Sequence, residues 1–164
     1  MKFIFELYRA SSKAKDIPTS KKLILNSNDN WHPQQKAKFV EKLKDLSSAA
    51  AIRQDGGKTQ LVKKVTTRKG KTKTKFITQL VIPRYGKSKT CTATLTVFAP
   101  SNRKSDPDNL QPTMKAIMDG FTEAGLWPDD NHEVVKYTKY QYGGLSGTKA
   151  YRLEVDIEDL TFEL

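Results

Sequence analysis

Residues 90–125 read TCTATLTVFAPSNRKSDPDNLQPTMKAIMDGFTEAG, and this stretch decides the fold class. Apolar and threonine side chains alternate over residues 90–98, which predicts a strand with one buried face. After a polar loop, a helix is predicted to begin near Gln111 and to stop at Gly125. Its apolar residues recur with the helical period: Leu110, Met114, Ile117, Phe121 and Ala124. A strand followed by such a helix predicts a sheet with helices packed against it.

The flanking sequence predicts one more long helix and several further strands. The helix begins at Pro33, because proline suits the first helical position, and it ends before Gly56. The strands are expected at residues 2–8, 60–67, 73–83, 133–142 and 150–157, with a short strand or a bracing turn at 21–25. Residues 143–147 are interpreted as a hairpin connection between the last two strands, and residues 158–164 as a tail. We therefore expect an α+β fold with a single domain over residues 1–164, in which two main helices pack on one mixed sheet.

The composition narrows the classes of function. The chain has 164 residues, 37% of them hydrophobic, and no apolar run reaches the roughly 18 residues that cross a bilayer. We expect no membrane partner. The single cysteine, Cys91, excludes an internal disulfide and a cysteine-based zinc site, and it favours the reducing cytoplasm. Because the chain has only two histidines, any metal should be a hard ion held mainly by carboxylates.

The net charge of +11 is concentrated in one segment of the chain. Residues 56–104 hold thirteen bases and no acid, whereas the rest of the chain has 16 bases and 18 acids. A focused basic surface attracts polyanions, so nucleic acid is the expected partner, and a solvated surface without a partner is the alternative. Residues 56–89 are expected to form a basic hairpin insertion. The expected DNA-binding residues are Lys63, Lys64, Arg68, Lys69, Lys71, Lys73, Lys75, Arg103 and Lys104.

Three carboxylates just outside the basic segment are candidates for catalysis. Asp106 and Asp108 end the loop after the predicted strand, and Asp130 lies in the turn after the second helix. If they meet, their mutual repulsion requires a cation, and hard oxygen ligands suit Mg²⁺ or Mn²⁺. The helix between them spans about 20 Å, so spacing alone does not decide whether they meet. The D-P-D-N stretch at residues 106–109 and the P-D-D-N stretch at residues 128–131 are also ordinary turn sequences. A lysine and an aspartate spaced as Lys115 and Asp119 are also a common surface ion pair.

The stretch from residue 103 to residue 131 resembles the core of the RusA-type Holliday junction resolvases. The shared pattern is a basic run, D-x-D-N-L, a helix with a lysine and an aspartate four residues apart, an alanine-glycine turn and D-D. The resemblance implies a homodimeric, Mg²⁺-dependent endonuclease that cuts four-way DNA junctions symmetrically during recombination and repair. It implies no small-molecule cofactor.

The resemblance also implies roles for individual residues. Asp106, Asp108 and Asp130 would be catalytic and would hold the metal, and Lys115 would contact the scissile phosphate or steady the metal site. Asp129 would lie just outside the metal ligands, and Asn28 resembles an asparagine that the family places near its active site.

The sequence departs from the family pattern in two places. Residues 111–113 lengthen the step from Asp108 to Lys115 relative to members whose lysine follows D-N-L closely. The basic hairpin is an addition to a minimal member, so a preference for junctions does not follow from the resemblance. Two alternatives stay open: a related nuclease that acts on other branched DNA, and a non-catalytic basic DNA-binding protein whose acidic turns are structural.

Overall fold

A computed structural model describes residues 1–160 of the chain. It contains a five-stranded mixed sheet, a separate two-stranded ribbon and two helices, which confirms the expected single-domain α+β fold. The elements are β1 (Lys2–Arg9), β2 (Lys22–Ile24), α1 (Pro33–Asp55), β3 (Thr59–Arg68), β4 (Lys71–Leu80), β5 (Cys91–Ala99), α2 (Gln111–Glu123), β6 (Val135–Leu145) and β7 (Tyr151–Asp159). Short 3₁₀ turns cover Thr19–Lys21 and Pro107–Leu110. The expected tail begins inside β7, and its residues 161–164 lie outside the described part of the chain.

The strands of the main sheet lie in the order β2-β1-β7-β5-β6. The β1–β7 and β7–β5 pairs are antiparallel, whereas the β1–β2 and β5–β6 pairs are parallel. Alternation in β5 and β7 sends Leu95, Leu153 and Val155 into the core, where none of the three is exposed. Among the described residues, neither helix has both the length and the apolar character that crossing a bilayer requires.

The predicted hairpin between the last two strands is wrong, because β5 lies between β6 and β7. Strand β6 continues through the glycines to Leu145, and the chain then crosses the end of β5, where the Ser146 N–H donates to the Ala99 carbonyl at 2.8 Å. Gly143 serves this strand pairing rather than a turn. A Cβ there would lie 2.6 Å from the Phe98 ring, so the close approach of β6 to β5 requires glycine.

The two helices form a layer on the sheet in which α2 is the inner member. Eight of its thirteen residues are buried, and the Phe121 ring lies 4.6 Å from the Phe3 ring of β1, centre to centre. Helix α1 packs on α2 by a narrow face formed by Leu43, Ser47 and Ala51. As expected, α1 has Pro33 in its first turn and ends at Gly56, whose φ of 71° is left-handed.

Strands β3 and β4 form the expected basic hairpin, which we call the ribbon. They pair in register from Thr59–Leu80 to Arg68–Lys71 and with no strand of the main sheet. Lys69 and Gly70 close the ribbon with φ angles of 51° and 73°, which fits the two-residue turn that twists with an antiparallel pair. All residues from 63 to 76 are exposed. The ribbon therefore extends beyond the hydrophobic core.

Candidate active site

The loop after β5 brings Asp106, Pro107 and Asp108 into a turn that we call the D-P-D turn. The Asn109 N–H donates to the Asp106 carbonyl at 3.0 Å, which begins the 3₁₀ turn Pro107–Leu110. The carbonyl of Asn109 in turn accepts the Ser27 N–H at 2.7 Å and the Ser27 hydroxyl at 3.1 Å. Because Leu110 is buried beneath, the D-P-D turn is fixed between the core and the segment after β2.

Both carboxylates of the D-P-D turn are exposed, and neither stabilises the fold through a contact with the described residues. Asp106 occupies the capping position of the 3₁₀ turn, yet its side chain accepts no capping hydrogen bond. Within residues 1–160, neither Asp106 nor Asp108 forms a side-chain hydrogen bond or an ion pair. The Asp108 charge is felt by Tyr140 of β6, whose pKa is raised by burial first and by this carboxylate second. Turn formation alone therefore does not account for the two acidic side chains at these positions.

A cationic cavity of about 220 Å³ opens beside Asp106. Arg9 of β1 and the loop residues Arg103 and Lys104 contribute its positive charge, and Tyr142 and Tyr151 contribute aromatic surface. The Arg9 guanidinium pairs with Asp29 through one terminal nitrogen, but its Nε is buried without a hydrogen-bond partner in the described chain. An anion drawn into this cavity would meet Arg103 and Lys104, which form no ion pair with the described residues, beside the Asp106 carboxylate.

Asn28 follows Ser27, whose backbone N–H and hydroxyl donate to the carbonyl of Asn109, just after the D-P-D turn. It belongs to a tight turn in which its N–H donates to the Asn26 side chain at 3.0 Å and Asp29 accepts the Asn26 N–H at 2.9 Å. The turn at Asn28 is thus held against Asn109, the residue that follows Asp108. Asn28 is exposed.

Asp130 lies beside Asp119, which is in the second half of α2. Burial raises the pKa of Asp130, and the charges of Asp119 and Asp129 raise it further. Asp129 closes the local turn, since its carboxylate accepts the Asp130 N–H at 2.8 Å and the Asn131 side-chain amide at 3.2 Å. These residues line a second cavity of about 440 Å³ that faces the ribbon.

The two cavities share no lining residue, and Asp108 lines neither of them. Among residues 1–160, no three histidine, cysteine or acidic side chains are placed to hold one metal ion. Asp106 and Asp108 by themselves suit Mg²⁺, because this ion is commonly held by one or two carboxylates, with waters and substrate phosphates completing the shell.

Lys115 lies on the exposed side of α2, between Asp108 and Asp119 along the chain. It is four residues before Asp119 on the same helical face, but within the described chain the two side chains form no ion pair. The alternative of a surface ion pair is therefore not realised. The Lys115 ammonium is available to a ligand that spans the face of α2.

The nine residues expected to bind DNA fall into two groups. Lys64 lies 3.5 Å from Glu123, and Lys75 lies 2.7 Å from Glu41 and 3.3 Å from Asp45. These two lysines attach the ribbon to the helices. The other seven are exposed and form no ion pair with the described residues: Lys63, Arg68, Lys69, Lys71, Lys73, Arg103 and Lys104.

Sequence reasoning missed the residues that long-range folding adds to the site. Arg9, Tyr142 and Tyr151 come from three different strands, and no local pattern marks them. Asp119 was visible as the acid four residues after Lys115, but nothing in the spacing indicates that it faces Asp130. Comparison with known proteins adds no assignment: no protein-family model matches the chain, and no curated protein matches it.

Proposed function

We propose that this protein is a Mg²⁺-dependent DNA endonuclease of the RusA type that resolves four-way junctions. One observation carries the proposal. The exposed Asp106 and Asp108 have no structural partner in the described chain, and Asp106 lines a cavity whose cationic groups are Arg9, Arg103 and Lys104. Unpaired carboxylates repel a phosphate backbone unless a cation lies between them, which is the arrangement that a metal-dependent nuclease needs.

Each group has a role in this proposal. The cationic cavity binds the phosphate backbone and orients it against the D-P-D turn. Asp106 and Asp108 would hold Mg²⁺, which when bound supplies an activated water and stabilises charge on the phosphate. Lys115 would donate to a phosphate oxygen along the face of α2. Asn28 would position the bound DNA strand next to the carboxylates of Asp106 and Asp108.

The junction preference and the homodimer rest on the resemblance alone. Resolving a four-way junction takes two cuts related by symmetry, and a two-fold dimer supplies two such sites. We place this activity in the cytoplasm, where the buried free thiol of Cys91 would stay reduced.

A cleavage assay tests the proposal with an end-labelled four-way junction and a linear duplex of the same sequence. Paired symmetric cuts in the junction alone, dependent on Mg²⁺ and lost with EDTA, are expected. Asp106→Asn and Asp108→Asn should each lower the rate by more than about 100-fold, since residues that merely orient metal ligands cost about 10- to 100-fold. Asp16→Asn is the matched control, because Asp16 is exposed and forms no ion pair in the described chain.

The other outcomes separate the alternatives. Metal-dependent cutting of both substrates would keep the nuclease and reject the junction preference. Binding without cutting in either Mg²⁺ or Mn²⁺ would favour the non-catalytic DNA-binding protein, for which the supporting observation is that residues 1–160 contain no cluster of three acidic or histidine side chains placed to hold a metal ion. Asp130→Asn tests whether the third aspartate acts with the pair: a rate as low as that of Asp108→Asn would mean that all three act together on bound DNA.

A further inference from the structure

The ribbon contains two cross-strand pairs of like charge, and only one of them is compensated by the protein. Lys64 pairs with Lys75, and Arg68 pairs with Lys71, in each case directly across the β3–β4 ladder. Like charges at such positions destabilise a strand pair. Paired residues point to the same face, so both pairs and Lys73 lie on one face of the ribbon.

The Lys64–Lys75 pair is neutralised by the helices. Glu123, which is buried, accepts Lys64, and Glu41 with Asp45 accepts Lys75. The hydrogen bond from Lys75 lowers the pKa of Glu41, so this carboxylate is charged near neutral pH. The protein thus supplies anions wherever the cationic face of the ribbon meets its own body.

The ribbon tip, which we define as residues 66–73, lacks such anions. It carries Arg68, Lys69, Lys71 and Lys73, contains no acid, and forms no ion pair with the described chain. All of its residues are exposed on both faces. From the Lys64–Lys75 pair to the turn the ribbon runs four residues, which is about 13 Å. The repulsion among the cations of the ribbon tip would therefore be relieved by an anion from outside the protein.

We propose that the ribbon tip enters the major groove of a DNA duplex arm and binds the phosphates on either side with Arg68, Lys71 and Lys73. A major groove about 12 Å wide and 8.5 Å deep admits a two-stranded ribbon, and the tip has the necessary reach. Thr67 and Thr72, which pair directly across the ladder on the face opposite the cations, can contact base edges. This inference rests on the proposed DNA substrate, but it places a second contact away from the D-P-D turn.

The decisive experiment measures binding to a blunt linear duplex by fluorescence anisotropy over a series of salt concentrations, without Mg²⁺. The test variant carries Arg68→Gln, Lys71→Gln and Lys73→Gln. The control carries Lys13→Gln, Lys15→Gln and Lys36→Gln, three exposed lysines without ion pairs in the described chain. Since each phosphate contact contributes about 0.9 to the slope of log K against log salt, the test variant should lose about 2 to 3 units of slope. It should bind at least about tenfold more weakly at 100 mM salt, with the control close to the parent.

Chemical protection locates the contact in the groove. The parent should protect guanine N7, which lies in the major groove, from methylation, and the test variant should lose this protection. Three results would overturn the proposal: equal losses of affinity in the test and control variants, unchanged N7 protection in the test variant, or a change of the test variant from dimer to monomer, which would make the tip an interface between copies. A protein that cuts no junction can still pass this binding test. Failure of the proposed nuclease activity is therefore distinguishable from failure of the proposed groove contact.

Discussion

At the scale of single residues, Thr113 fixes the helix of the candidate site to the sheet. This buried hydroxyl donates to the Leu25 carbonyl at 2.7 Å and accepts the Leu25 N–H at 2.8 Å, so it pairs with the end of β2 as a neighbouring strand would. The Ser27–Asn109 hydrogen bonds lie next to it along both segments. Together they hold the Asn28 turn against the D-P-D turn.

Replacing Thr113 with valine should destabilise the protein although the shape is conserved. The Leu25 N–H and carbonyl would both lose their partner in a buried place, which costs about 2 to 4 kcal/mol in the free energy of unfolding. Urea unfolding followed by tryptophan fluorescence measures this loss. Thr113→Ser keeps the hydroxyl and should retain most of the stability that valine loses; equal losses in both variants would mean that the methyl group matters and the hydrogen bonds do not.

The residue scale also shows how far the sequence could predict the site. Asp106 and Asp108 were placed correctly in a loop after a strand, because turn chemistry and strand alternation are local signals. Whether Asp130 joins them depends on the path of the chain around α2, which no local pattern encodes. Arg9 enters the cavity through the pairing of β1 with β7, and residue spacing does not report that pairing.

At the scale of elements, the approach of α1 to α2 depends on Gly120. A Cβ at this position would overlap the Ser47 hydroxyl and lie 2.5 Å from the Lys44 carbonyl oxygen. The side chain of Ser47 can be removed, but the backbone carbonyl of α1 can move only if the helix moves. The face of α2 that carries Asp119 is therefore set by this contact between helices.

Gly120→Ala should push the helices apart and cost about 3 kcal/mol in the free energy of unfolding, at the upper end for overpacking. The double variant with Ser47→Gly should recover only part of the loss, because the clash with the Lys44 carbonyl persists. Gly86→Ala is the control, since a Cβ at Gly86 meets nothing within 4 Å. Denaturant unfolding compares the three, and full recovery in the double variant would show that the helix backbones can separate without cost.

The attachment of the ribbon to α1 should depend on pH. The pKa of Glu41 is lowered from its ordinary 4.5, chiefly by the Lys75 hydrogen bond. A carboxyl whose pKa is lower in the folded protein stabilises the fold above pH 4.5, and this contribution is lost as the pH falls through the lowered value. Lys75→Gln should return the pKa of Glu41 toward 4.5 in a carbon-13 NMR titration. Lys73→Gln removes a neighbouring charge that contacts no acid, and it should leave the titration unchanged.

The elements themselves were largely predictable, whereas their pairing was not. Both helices and the ribbon were located by periodicity, proline and glycine, which act within a few residues. The hairpin predicted for β6 and β7 failed because a short glycine-rich connection is equally compatible with crossing over β5. The choice is made by the packing of Gly143 against Phe98, a contact between residues 45 positions apart.

At the scale of the whole molecule, the excess positive charge and the hydrophobic core occupy different parts of the fold. The net charge of +11 arises in residues 56–104, most of which form the ribbon and the edge of the candidate site. The core lies in the main sheet and α2. It includes β5, which carries no charged residue, and it takes from the ribbon only its base, where Leu80 is buried. The cations of the ribbon tip and the side chains of the core are thus different residues, so the tip can be changed without rebuilding the core.

A protein with a shortened ribbon tests this division. Val65 and Thr74 pair directly across the ladder, so replacing residues 66–73 with Asn-Gly closes a regular two-residue hairpin between them. The shortened chain should melt within about 2 °C of the parent, because the lost residues are all exposed and like-charge repulsion is removed. Leu80→Ala, at the buried base of the ribbon, should instead lower the melting temperature by more than about 5 °C. Calorimetry distinguishes the two, and a large fall in the shortened chain would mean that the tip contributes to the core after all.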